Sequence, residues 1–101
     1  MTQFSIGNLK LRPATNEAFR EGHKIPLRRK EYQLLEFMAR NKNMVMHRLT
    51  ILEYVWNYDA HIATNTLEVH MAALRRKVDD GFQQKLIHTF HGLGYKLSTE
   101  R

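Results

Sequence analysis

One side of the segment Thr64–Val78, TNTLEVHMAALRRKV, mixes Asn, Thr and Arg with small residues, a set suited to hydrogen bonding across a close interface. At roughly 100° per residue, Leu67, Met71, Leu74 and Val78 stack into an apolar stripe, so the spacing predicts a helix over about 64–78 with that stripe on a core. Opposite lie Asn65, Val69, Ala72 and Arg76, flanked by Thr66, Ala73, Arg75 and Lys77. A merely solvated face would be long and charged throughout. Small side chains instead let the helix backbone approach a surface closely. Such a face suits the major groove of duplex DNA, where Arg pairs with guanine edges, Asn with adenine, and apolar groups meet the thymine methyl. From this helix alone, an ordinary amphipathic helix with a wet polar face explains the pattern equally well.

The elements around it tilt the balance. Leu86–Leu97, LIHTFHGLGYKL, contains two short runs rich in Ile, Thr, Phe, Tyr and Leu separated by His91-Gly92-Leu93-Gly94. The two glycines predict a reversal needing positive φ, hence a β-hairpin directly after the helix. A groove-fitting helix followed by a hairpin is the winged helix-turn-helix arrangement. A positioning helix is expected at about Arg48–Trp56, with Leu49, Leu52, Val55 and Trp56 inward and Trp56 in the core rather than serving as a base-stacking platform. The connection Asn57–Ala63 is too long for a tight helix-turn-helix turn, and loops of that kind are often functional. Upstream, Tyr32, Leu34, Leu35, Phe37 and Met38 predict a helix from about Arg29 to Asn41. The first 26 residues alternate short apolar and polar steps between turn formers at Gly7-Asn8, Pro13–Asn16 and Glu21–His23, which predicts an antiparallel sheet of about four strands.

Composition bounds the function classes. A chain of 101 residues with 43% hydrophobic content has room for one domain with one core. A formal charge of +6 favours a polyanionic partner. The charge is spread out: residues 1–26 carry 4 basic against 2 acidic side chains, and residues 27–63 and 64–101 each carry 6 against 4. Basic clusters stand only at Arg28-Arg29-Lys30 and Arg75-Arg76-Lys77. The absence of cysteine excludes disulfides and thiolate-bound zinc. No apolar run approaches bilayer length and no signal peptide is evident, so a cytoplasmic protein without membrane contact is expected. His88-x-x-His91 spans a strand and a turn without a carboxylate nearby, so no metal or other cofactor is expected. Asp79-Asp80 reads as a solvated helix terminus rather than a catalytic pair, and Gly92-Leu93-Gly94 as a hairpin tip rather than a phosphate loop. No enzyme is indicated.

Taken in order, LLEFMARNKNMVMHRLTILEYVW, NTLEVHMAALRRKV and LIHTFHGLGY resemble the DNA-binding effector domain of OmpR/PhoB-type response regulators, from Phe4 to about Leu97. Val55-Trp56, Asn65-Thr66, Val69-His70, Leu74–Lys77 and Gly92–Tyr95 agree in order and spacing. The resemblance implies an α+β winged helix-turn-helix: an N-terminal antiparallel sheet, three helices and a C-terminal hairpin wing at about 88–95 directed to the minor groove. The candidate DNA contacts are Asn65, Thr66, Val69 and Arg76 for bases, and His70, Arg75, Lys77, Thr89, Tyr95 and Lys96 for the backbone, with Ala73 on the helix and His91 at the wing tip. The resemblance further implies a loop, Tyr58, Asp59, Ala60, His61, Ile62 and Ala63, that can contact RNA polymerase, with a variable connector as the equal alternative. It also implies an N-terminal receiver domain of which this chain holds nothing, a stand-alone regulator being the alternative, and a monomer that pairs in tandem on direct repeats of DNA.

The sequence departs from the family at several points. Ala72 and Ala73 stand where relatives often have basic residues, and His91 where Arg is common, so weaker DNA contacts are expected there. Arg28 and His47 replace Thr or Ser helix caps, at about 1 kcal/mol each. Asn43 replaces a glycine and tolerates the same left-handed turn. The expected function is sequence-specific duplex DNA binding in transcription control, as the output domain of a two-component system. A winged-helix protein-interaction module without specific DNA binding is the alternative, toward which Ala72, Ala73 and His91 lean.

Overall fold

The computed structural model describes residues 3–57, 59 and 61–101. Alternation in the first quarter of the chain produces an antiparallel meander, β1 (Phe4–Ile6), β2 (Leu9–Arg12), β3 (Glu17–Arg20) and β4 (His23–Ile25), in the order β1-β2-β3-β4. Its register places Phe4, Leu11, Ala18 and Ile25 in one cross-strand row and Ile6, Leu9 and Arg20 in another, both on the inner face. Lys10, Phe19 and Lys24 form a row on the opposite face, because successive side chains of a strand alternate.

Three helices follow. Helix α1 (Arg29–Arg40) buries Tyr32, Leu34, Leu35 and Met38 and keeps Phe37 half-buried. Arg28 offers no side-chain cap, but its own N–H donates to Glu31 Oε1 at 2.9 Å, which restores half of a capping box. Asn43 takes φ 70°, and its N–H donates to Leu97 O at 2.9 Å. Helix α2 (Arg48–Trp56) starts from an uncapped His47 and ends on left-handed Asn57, φ 55°. It buries Ile51, Leu52, Val55 and Trp56, while Leu49 is 62% exposed. Leu49 therefore does not face inward as the periodicity suggested. At about 100° per residue the buried arc is centred between Val55 and Leu52, and Leu49 in the first turn falls just outside it whereas Ile51 falls within.

Helix α3 (Thr66–Val78) starts two residues later than expected, because Asn65 is its N-cap, with non-helical φ −102° and ψ 14°. Leu67, Met71, Leu74 and Val78 are buried as the stripe predicted. The chain ends in β6 (Ile87–Phe90) and β7 (Gly94–Leu97), which pair with the two-residue β5 (Met46–His47) in the order β5-β7-β6. Gly92, at φ +80°, makes the reversal. Gly94 serves a different purpose from the turn assigned to it: it pairs with Phe90 and His47 inside the sheet, and a Cβ there would sit 2.0 Å from Met46 O. The buried residues form one cluster from Ile6 to Leu97. The architecture is the α+β winged helix-turn-helix expected.

Candidate nucleic-acid interface

Because its inner stripe is sealed in the core, α3 presents Asn65, Val69, Ala72 and Arg76 outward, all exposed, with Val69 at 56%. Asn65 caps the helix by position only; its side chain makes no capping hydrogen bond. Thr66 and Ala73 flank this face half-buried. His70 packs its ring edge on Trp56, centroids 5.1 Å apart, with Nδ1 2.9 Å from Thr66 O. A carbonyl only accepts, so Nδ1 carries the proton, and Nε2 is the nitrogen left for another partner. Trp56 is core, as its spacing indicated.

The three neighbouring cations have different fates. Arg75 donates from Nη2 to Thr89 Oγ1 and lies over the Tyr95 ring at 5.8 Å, which ties α3 to the wing. Lys77 turns toward α1 and meets buried Glu31 at 2.6 Å. Burial alone would raise the Glu31 pKa, but Lys77 and the Arg28 N–H outweigh it and hold the carboxyl below its usual value. Arg76 is exposed and makes no hydrogen bond or ion pair with another described residue. Of the Arg-Arg-Lys cluster, only Arg76 is thus left for a ligand.

On the wing, His91 is exposed at the tip and Thr89, Tyr95 and Lys96 are half-buried. Lys96 Nζ sits 5.0 Å from the Phe90 ring centroid. Burial first, then the Glu68 carboxylate, raise the Tyr95 pKa, so the phenol remains a hydrogen-bond donor. Glu68 would set a bare negative charge on the exposed first turn of α3, but Arg48 of α2 holds it at 2.8 and 3.1 Å and donates to Thr64 O. This clamp fixes the start of α3 on the start of α2. Two elements with no shared local pattern contribute it, so no spacing in the chain signals it.

Asp79 is not the solvated helix end that Asp79-Asp80 suggested. It is 4% exposed, paired with Arg20 at 3.0 Å, and accepts the Leu86 and Ile87 N–H groups at 3.0 Å each. Arg20 also donates to Val78 O at 2.7 Å. The available signal was Arg20 itself, a cation on the inner row of an alternating strand, which requires a buried partner. His88 Nε2 donates to Ser98 O at 3.0 Å and is thereby occupied within the fold. Of the connecting loop, Asp59 and His61 are exposed and linked by His61 N–H to Asp59 Oδ1 at 2.9 Å. Ile62 is half-buried against the core and Ala63 exposed; Tyr58 and Ala60 lie outside the described residues.

A helix with one exposed polar face, clamped to a hairpin, is matched by the family described as transcriptional regulatory protein, C terminal, over residues 22–97. The chain belongs to that family. The response regulator MprA of Mycobacterium ulcerans is 41% identical over 93 residues, covering 92% of this chain and 40% of the relative. The chain spans about two fifths of the length of the curated relatives it matches. The solved structure of DrrB, an OmpR/PhoB homologue from Thermotoga maritima, agrees with a TM-score of 0.83 at 27% identity, over 95% of this chain and 44% of that one. The OmpR/PhoB-type resemblance is borne out. The DNA-binding domain of Klebsiella pneumoniae RstA shares the fold, with a TM-score of 0.85 at 20% identity over 98% of this chain and 99% of that one.

Proposed function

We propose that this chain binds duplex DNA sequence-specifically, as the output domain of a two-component transcription regulator, with α3 in the major groove and the wing toward the minor groove. The observation that carries the reading is the outward face of α3: Asn65 and Arg76, whose side chains have no partner among the described residues, separated by exposed Val69 and Ala72. Hydrogen-bonding ends with an apolar middle fit base edges and thymine methyls. His70 Nε2, Thr89, Tyr95 and Lys96 border that face and supply backbone contacts, with Thr66, Ala73 and His91 at its margins; Arg75, tied to Thr89, contributes charge rather than a free donor. Lys77, tied to Glu31, adds positive potential rather than a free donor. The RstA domain of the same fold was solved in complex with its RstA box, which supports this use of the fold.

Regulation by such a domain takes two copies on direct repeats, because one helix and one wing read too few base pairs for a useful specificity ratio. In this reading the domain alone is a monomer, follows an N-terminal receiver domain in the whole protein, and acts in the cytoplasm. Asp59 and His61–Ala63 are the surface offered to RNA polymerase. No helix among the described residues is long and apolar enough to cross a membrane. The family is one of transcriptional regulators, not of enzymes.

A gel-shift titration against genomic fragments tests the reading. Retention of a few fragments at salt concentrations that release bulk DNA is expected. Uniform weak retention of every fragment would favour the alternative, a protein-interaction module, which draws on Val69 and Leu93 as exposed apolar groups on helix and wing.

A further inference from the structure

The last residues of the chain turn back onto β6, the outer strand of the wing sheet. Buried Ser98 makes the turn: its N–H donates to Leu86 O at 2.9 Å, its carbonyl accepts from His88 Nε2 at 3.0 Å, and its hydroxyl accepts from the Glu100 N–H at 3.1 Å. Arg101 is thereby laid on the strand, where Nη2 donates to Thr89 O at 3.2 Å and the guanidinium stands 5.3 Å from the Phe90 ring centroid. Lys96 of β7 stands over the same ring at 5.0 Å. Arg101 also lines a cleft of about 480 Å³ together with Arg75 of α3, Thr89 and His91. It thus links the cation of α3 to the cation of β7. Among the described residues, Arg75, Lys96 and Arg101 have no carboxylate partner. Their contacts are to a hydroxyl, a carbonyl and aromatic rings, none of which cancels a charge. Of the carboxylates in the cleft wall, Asp79 is matched by Arg20, and Asp80 is offset by Lys85 in the same wall. Like charges gathered without a counter-ion repel one another and leave a positive potential that an outside anion relieves.

We propose that Arg101 is a further DNA-binding residue, which with Arg75 and Lys96 forms a cationic track along the wing for the sugar-phosphate backbone beside the groove that α3 enters. A row of separated cations uninterrupted by an unmatched carboxylate fits a chain of phosphates. Arg101 is the exposed member of the three, and Thr89 O occupies one of its N–H groups. The remaining donors reach a phosphate while the side chain stays on the strand and on the Phe90 ring. Such a contact carries no base information, so Arg101 serves affinity and leaves sequence choice to α3. The inference rests on the DNA-binding reading of α3.

The test is fluorescence anisotropy of the 101-residue chain over a salt series, with a random-sequence duplex and with a genomic fragment retained in the gel shift. Arg101→Ala should flatten the slope of log affinity against log salt by about 0.9, one phosphate contact, and weaken binding roughly five- to tenfold at about 0.1 M salt. The loss should be alike on both duplexes, the melting temperature should be unchanged, and Arg101→Lys should keep the wild-type slope. A slope unchanged in Arg101→Ala overturns the proposal, as does a flattened slope in Arg101→Lys. It is equally overturned if Arg101→Ala lowers the melting temperature and leaves the slope intact, since the side chain then serves only to cover β6. Loss of polyglutamate binding with DNA affinity intact would assign the track to an acidic protein instead. Wild-type chain that binds neither duplex would reject the DNA-binding reading and this inference together, whereas wild-type binding with an unaltered Arg101→Ala slope rejects this inference alone.

Discussion

The guanidinium of Arg20 and the carboxylate of Asp79, 59 positions apart in sequence, meet at 3.0 Å in the interior. The pair joins the N-terminal sheet to the last turn of α3 and, through the Leu86 and Ile87 N–H groups, to the start of the wing. Helix α3 and the wing thus share one anchor. Asp79→Ala leaves Arg20 charged and buried, so a loss of about 3–5 kcal/mol is expected in urea unfolding. Exposed Asp80→Ala should stay within about 0.5 kcal/mol. Equal effects of the two would mean that the anchor contributes nothing.

Lys77 and Glu31 give a pH-dependent prediction. The Glu31 pKa lies below its ordinary 4.5 in the fold, so its ionised form contributes stability above that value, and the contribution is lost as pH falls through the lowered one. Lys77→Met removes the cation and should cost about 1–2 kcal/mol near pH 7, less than a fully buried pair because Lys77 is partly solvated. The gap between wild type and variant should close as the carboxyl protonates in acid. Denaturant midpoints measured from pH 7 into acid, as far as the wild type stays folded, check this; a gap that does not narrow as the pH falls would trace the loss to packing instead.

For recognition, Arg76→Ala should cost roughly 1–3 kcal/mol on a cognate site and relax preference at one base position. Lys77→Met should alter stability more than sequence preference. His91→Arg adds a permanent charge to the wing tip and should tighten binding while steepening the salt dependence by about one phosphate contact. Fluorescence anisotropy at several salt concentrations reads both effects. An Arg76→Ala variant weakened equally on specific and random DNA would demote Arg76 to a backbone contact.

Gly94→Ala places a methyl group 2.0 Å from Met46 O, which only separation of β5 from β7 can relieve. A loss of about 3 kcal/mol is expected, with increased exchange of wing amides. Gly92→Ala meets open space at φ +80° and should cost only about 1 kcal/mol. Thermal unfolding ranks the two directly.

The isolated chain should sediment as a monomer, bind one half-site weakly, and protect direct repeats about one helical turn apart. A dimer without DNA, or preference for an inverted repeat, would reject the tandem arrangement.

Wherever a periodicity carried the information, sequence alone determined the element. Leu67, Met71, Leu74 and Val78 fixed which side of α3 is buried, and therefore that Asn65, Val69, Ala72 and Arg76 face out. The strand alternation and its turn residues located all four N-terminal strands, and the order of short motifs identified the family. Leu49 was misplaced because a nine-residue helix gives too few turns to define its buried arc. Tertiary structure alone decided which charges are free. Arg75, Arg76 and Lys77 are consecutive and chemically alike, yet the wing takes the first, Glu31 takes the third and Arg76 has no partner among the described residues, because a 100° step per residue points neighbours at different elements. The same holds for Asp79: an acidic pair at a helix end looks solvated until a distant strand delivers Arg20 to it, and no local pattern encodes which distant side chains will meet.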